Sequence, residues 1–164
     1  MRNRLFFALL PLLFLLPLSA SAQNAIGPHL GYNLDNEELF IGATAHINIP
    51  ALPVIINPAF DYYLGTDNFT LLQFDANALL TFGVANVLFS PYAGGGLALS
   101  YASYNDDALE DLGLNVDNSS TDVGLNLLAG TFFNLAALRP FAEARVTIGD
   151  GTTVAVKGGV MFNF

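Results

Sequence analysis

The final strand-like segment, Thr153 to Phe164, constrains the fold most, because it alternates strictly between two kinds of side chain. Successive side chains of a β-strand point to opposite faces, so one whole face of this segment is apolar or small. That face consists of Val154, Val156, Gly158, Val160, Phe162 and Phe164. A strand with such a face would aggregate if it were left in water, so a protein core or lipid must cover it.

The N-terminal segment has the pattern of an export signal. Arg2 and Arg4 precede an apolar run from Leu5 to Leu18, and Ser19-Ala-Ser-Ala22 follows it. This order predicts a cleaved secretory signal peptide over residues 1–22 and a single mature domain over residues 23–164. A transmembrane anchor is disfavoured, because the run is shorter than the roughly eighteen residues that a spanning helix needs.

Composition narrows the class of protein further. There is no cysteine, which excludes a disulfide framework and a lipid-modified cysteine. Without the signal the chain has three basic and 14 acidic residues, so it is strongly acidic and nucleic acid is not an expected partner. Charged residues make up only 12% of the chain and the mean hydropathy is +0.50, whereas soluble domains are about a quarter charged. An apolar exported chain without a spanning helix is expected to form a closed β-barrel.

Eight alternating runs bounded by turn residues follow the signal, and most are long enough for a tilted membrane strand. The sequence therefore predicts an all-β, eight-stranded antiparallel up-and-down transmembrane barrel. The predicted strands are Ile26–Leu34, Leu39–Ile49, Val54–Leu64, Phe69–Phe82, Val87–Tyr101, Val123–Phe133, Arg139–Ile148 and Thr153–Phe164. Pro58, in the middle of the third, should mark a bulge or a lost ladder hydrogen bond.

The connections alternate in charge. The first, third, fifth and seventh hold nearly all the acidic residues, including a predicted twenty-residue loop over Ala102–Thr121, and the others hold none. In an up-and-down barrel these two sets lie at opposite ends. One end is then acidic, and the other, with both mature termini, is nearly neutral, as in barrels whose short turns face the periplasm.

Charged residues within the strands indicate which face points outward. All of them lie on the face opposite the apolar one, and the other residues of that second face are mainly Gly, Asn, Ser, Thr and Ala. The charged residues are Asp61, Asp75, Glu143, Arg145 and Lys157. The water-exposed face of a soluble barrel should be roughly 25–35% charged. The pattern instead predicts a narrow, filled polar interior and an outer face in lipid, with aromatic girdles at both rims.

On these features the chain resembles small eight-stranded outer-membrane β-barrel proteins of the OmpX and OmpA transmembrane-domain type. The most specific shared element is the C-terminal strand with Val160, Phe162 and Phe164, which is similar to the signal that the outer-membrane assembly machinery reads. The resemblance implies an outer-membrane location, membrane lipid and the assembly machinery as partners, and a monomer.

The interior charges are expected to pair. Gly149-Asp-Gly151 closes the last hairpin tightly, which favours pairing Ile148 with Thr152 and sets Glu143 opposite Lys157. The other register would set Lys157 against Arg145. The expected result is an ion-pair network that plugs the barrel in a protein with a structural or surface-interaction role. The alternative is a selectivity site in a narrow porin-like channel for small solutes or ions.

Neither catalysis nor a cofactor is expected. His29 and His46 share the inward parity, but without a third ligand they are interpreted as hydrogen-bonded lumen histidines and not as a metal site. A divalent-cation loop could be formed by Asp106, Asp107, Glu110 and Asp111, since clustered carboxylates suit hard cations. The ordered ligand spacing of an EF-hand is missing, so a solvated loop is favoured.

Overall fold

The structure is a computed structural model that describes residues 24–49, 52–65, 69–83, 88–104, 118–135 and 138–164. Within these ranges the chain forms eight strands: β1 (Ala25–Asn33), β2 (Glu38–Asn48), β3 (Val54–Tyr63), β4 (Phe69–Thr81), β5 (Phe89–Tyr104), β6 (Asn118–Phe133), β7 (Leu138–Ile148) and β8 (Thr152–Asn163). No helix in the described ranges is both long enough and apolar enough to cross a membrane. The predicted signal peptide lies outside the described residues.

The strands close into one antiparallel barrel in chain order, because β8 pairs with β1. Connections β1–β2, β3–β4, β5–β6 and β7–β8 therefore lie at one end, here called the acidic end. The remaining connections lie at the other, here called the neutral end, with Asn24 and Phe164. The Phe164 N–H donates to the Asn24 carbonyl oxygen at 2.9 Å, so the first and last described residues also pair.

All eight predicted strands are confirmed, but the fifth connection was predicted too long. The ladder between β5 and β6 continues beyond the predicted strand ends to Tyr104 opposite Asn118. The sequence obscures this extension because Ser119, Ser120 and Thr121 are polar on both faces and show no alternation. The predicted loop Ala102–Thr121 is therefore wrong at both ends.

The register of the last hairpin is confirmed. Ile148 lies opposite Thr152 and Glu143 opposite Lys157. Each pair of neighbouring strands keeps a single register along its length. If paired residues are followed once around the barrel from a residue of β1, the path returns to β1 at a position displaced by ten residues, which is the shear of the barrel. This shear tilts the strands and gives an eight-stranded barrel an interior that side chains can fill.

Pro58 causes a lost ladder bond and not a bulge. The β2–β3 register is the same on both sides of Pro58, yet the ladder has no partners between Thr44 opposite Ala59 and Ile47 opposite Ile56. Proline has no N–H to donate. The Ala45 carbonyl instead accepts from the Asn57 side-chain amide at 2.9 Å, and that amide also donates to the Thr44 hydroxyl at 2.6 Å. A side chain thus replaces the missing main-chain bond.

The barrel interior has two apolar layers separated by charge. Near the neutral end Leu79, Phe132 and Met161 are fully buried in one cluster, and near the acidic end Phe40 packs with Tyr63 in a second. The inward charged residues lie between these layers along their strands. Large aromatic and aliphatic side chains therefore separate the buried charges from water at both ends.

Several interior positions accept only glycine, and Gly130 is one of them. A Cβ atom there would lie 2.4 Å from the Ala142 carbonyl oxygen and 2.6 Å from the Tyr92 ring. The first neighbour is backbone and cannot rotate away. The missing side chain lets the Tyr92 ring lie against β6.

We expect Gly130→Ala to lower the free energy of unfolding by roughly 1–3 kcal/mol, the usual cost of overpacking. Gly83→Ala is the matched control, because a Cβ there meets nothing within 4 Å. Urea unfolding in detergent micelles measures both. Equal stability of the two variants would show that the interior at Gly130 is loosely packed.

Candidate functional site

The lumen contains a buried cluster centred on Arg145, which lies on β7. Its guanidinium Nη1 lies 2.8 Å from Asp61 Oδ2 and also pairs with Asp75 Oδ2. Arg145 is 2% exposed and both carboxylates are buried. Asp61 and Asp75 lie on β3 and β4, so barrel closure brings these three charges together across the lumen. One guanidinium thus offsets the charge of one of the two carboxylates and is shared between them.

Three further polar side chains complete the Arg145 cluster. Gln73 and Asn126 donate to Asp75 Oδ1 at 2.8 and 2.9 Å. His29 Nε2 lies 2.6 Å from Asp61 Oδ1. These bonds satisfy carboxylate oxygens that Arg145 alone would leave unpaired, which is what makes a buried charge tolerable.

A second cluster surrounds Lys157 on β8. Lys157 Nζ lies 3.0 Å from Glu143 Oε1, and the Tyr92 hydroxyl donates to Glu143 Oε2 at 2.8 Å. Tyr92 also stacks on Phe132, with ring centroids 4.3 Å apart. This cluster is therefore tied to the apolar layer near the neutral end.

The five charges predicted for the lumen are all buried, but they fall into two sets. Asp61, Asp75 and Arg145 form one, and Glu143 and Lys157 form the other; no ion pair within the described ranges connects them. The sequence missed the neutral partners Tyr92, Gln73 and Asn126. Alternation along the strands does place these residues on the inward face. It does not reveal which of them contact each other across the barrel.

The two histidines occupy different surroundings. The hydrogen-bonded role predicted for His29 is confirmed by its contact with Asp61. His46 is buried with its ring edge against Phe132, at a centroid distance of 4.9 Å. Across the described ranges no group of three or more His, Asp or Glu side chains is placed to bind a metal ion.

Two other predicted sites lie elsewhere. Phe162 and Phe164 are exposed on the outer face of the barrel at the neutral end, and Val160 is half-buried on the same face. The loop residues Asp106, Asp107, Glu110 and Asp111 lie outside the described residues.

Comparison with solved structures places this geometry in a class. The N-terminal β-barrel domain of OprF from Pseudomonas aeruginosa superposes with a TM-score of 0.69 at 16% identity, covering 87% of this chain and 97% of that one. Neisserial surface protein A (NspA) gives 0.62 at 17%, covering 87% and 95%. Ail, the attachment invasion locus protein of Yersinia pestis, gives 0.59 at 15%, covering 87% and 97%.

The chain thus has the fold of eight-stranded outer-membrane β-barrels. At these identities the likeness shows the fold alone. No family model matches the sequence, and no curated protein matches it.

Proposed function

We propose that this protein is an integral outer-membrane barrel whose lumen is closed by ion pairs, and that it has a structural or surface-interaction role without catalysis. In this proposal residues 1–22 are a cleaved signal peptide, and the mature chain is a monomer with both termini in the periplasm. Membrane lipid surrounds the barrel.

The observation that carries the proposal is the outward face of the barrel. Along β6, Val123, Leu125 and Leu127 are 66%, 58% and 58% exposed, whereas Asn126 between them is 1% exposed. Other strands repeat the pattern, with Leu and Ile outward and polar groups inward. A soluble domain reverses this arrangement, so an apolar exterior around a polar interior favours lipid as the surrounding solvent.

The rims support the same placement. Exposed aromatic side chains lie near both ends of the outward face, where a membrane barrel has its interfacial girdles. At the neutral end these are Phe82, Phe89, Phe133 and Phe164, and at the acidic end Tyr62 and Tyr101. The acidic end would then face outside the cell.

The outward face of β8 supports a proposal on assembly. Val160, Phe162 and Phe164 form an outward apolar series at the neutral end of the last strand. We propose that the outer-membrane assembly machinery reads this series. Such a signal must be accessible before β8 closes against β1.

Cell fractionation tests the location. We expect the protein in the outer-membrane fraction, migrating faster on a detergent gel when unheated than after boiling, because the folded barrel is compact. Recovery in the soluble periplasmic fraction would contradict the proposal.

Planar-bilayer recording tests whether the lumen is closed. We expect no steady conductance steps from the wild-type protein, because both ionic clusters and both apolar layers fill the interior. Lys157→Ala probes the lumen, and Val156→Ala, its outward-facing neighbour, is the matched control. Regular wild-type openings that change in Lys157→Ala but not in Val156→Ala would establish the narrow channel instead.

A further inference from the structure

The neutral end contains a polar pocket that the proposed function does not use. It has a volume of about 360 Å³ and opens at the mouth of the barrel. Its polar lining consists of Asn48, Thr81, Asn134, Arg139 and Asn163. A volume of this size lies at the lower end of the range for small-molecule sites, roughly 300–1,000 Å³.

Among the described residues of this lining, Arg139 is the only charged one. Its guanidinium carbon lies 4.4 Å from the ring centroid of Phe132, a cation–π contact that holds the group against the apolar layer. Arg139 is half-buried. The contact with the Phe132 ring restricts the Arg139 side chain, while the guanidinium still lines the pocket.

No acidic side chain of the described residues pairs with this cation. In the sequence, residues 49–53, 82–88 and 134–137, which form the connections at this end, contain no Asp or Glu. The interior carboxylates already pair with Arg145 and Lys157.

We propose that this pocket binds a small oxyanion, the phosphate or carboxylate group of a small molecule that enters from the neutral end. The planar guanidinium presents paired N–H donors that match the geometry of such groups. The Asn163 side-chain amide and the Thr81 hydroxyl, in the same lining, supply further hydrogen-bonding groups around it. Because Arg139 is half-buried, water screens its charge less, and its attraction for an anion is stronger than at an exposed position.

The test is a titration of the purified protein in detergent micelles with sodium phosphate, and separately with sodium acetate, at constant ionic strength set with chloride. The readout is the NMR signal of the Arg139 side-chain N–H, assigned by its loss in Arg139→Gln. We expect a saturable shift of this signal with at least one of the two anions, while the Arg145 signal stays unchanged. The anion that binds more tightly identifies the chemistry of the ligand.

Variants separate the pocket from the rest of the barrel. Arg139→Gln should weaken binding, measured by calorimetry, by about tenfold or more, since a charge-assisted hydrogen bond is lost. Arg139→Lys should fall between Gln and wild type, and Thr152→Gln, at the acidic end, should bind as wild type does. The absence of any saturable shift with either anion, or undiminished affinity in a folded Arg139→Gln protein, would overturn the proposal.

Discussion

Replacing Arg145 by methionine is expected to lower the free energy of unfolding by roughly 3–5 kcal/mol, the cost of breaking a buried ion pair from one side. The guanidinium is the cation that pairs with both Asp61 and Asp75, and both carboxylates are buried. Removing it leaves two anions close together away from water. Urea unfolding of the purified protein in lipid vesicles measures the loss.

A combined variant distinguishes charge from packing. Asp61→Asn and Asp75→Asn, added to Arg145→Met, remove all three charges and should restore most of the lost stability. If Arg145→Met alone remained within about 1 kcal/mol of wild type, the lumen would be hydrated and the account of a closed, ion-paired interior would be wrong.

The second large effect is expected on the outer wall. Leu127→Arg should destabilise the protein in a bilayer by roughly 2–4 kcal/mol, the cost of an arginine near the midplane. Leu127 is 58% exposed and lies about halfway along β6 between Thr121, which pairs with Tyr101 near the acidic rim, and Phe133 at the other rim. In water the same substitution at so exposed a position would cost almost nothing.

Thr152→Arg provides the matched control, because Thr152 is exposed at the start of β8 at the acidic end. We expect this variant to be as stable as wild type in the same vesicles. Equal stability of Leu127→Arg and Thr152→Arg would show that the outer wall does not contact hydrocarbon.

The strands and their faces could be predicted from the sequence because alternation is a local property. In β8 each residue from Val154 to Phe162 shows its face by parity alone, and the tight turn Gly149-Asp-Gly151 fixed the register that sets Glu143 opposite Lys157. Turn geometry and side-chain period are both encoded within one hairpin.

Contacts across the lumen could not be predicted in the same way. Arg145 meets Asp75 from a position 70 residues away in sequence, and Tyr92 meets Glu143 from 51 residues away. These contacts depend on the shear accumulated over several strand pairs, so hairpin registers considered separately do not reveal them. The pocket at Arg139 was missed for a related reason, since its lining comes from several strands that meet only at the barrel mouth.

The most direct test of the central claim, that lipid surrounds an apolar outer wall, uses single nitroxide labels. The chain has no cysteine, so Leu125→Cys, Leu127→Cys and Thr152→Cys each give one labelled site. In reconstituted bilayers, electron paramagnetic resonance should show that oxygen, which concentrates in hydrocarbon, relaxes the labels at 125 and 127 more than a water-soluble nickel complex does. The label at 152 should respond mainly to nickel. A stronger nickel response at all three positions would contradict the account.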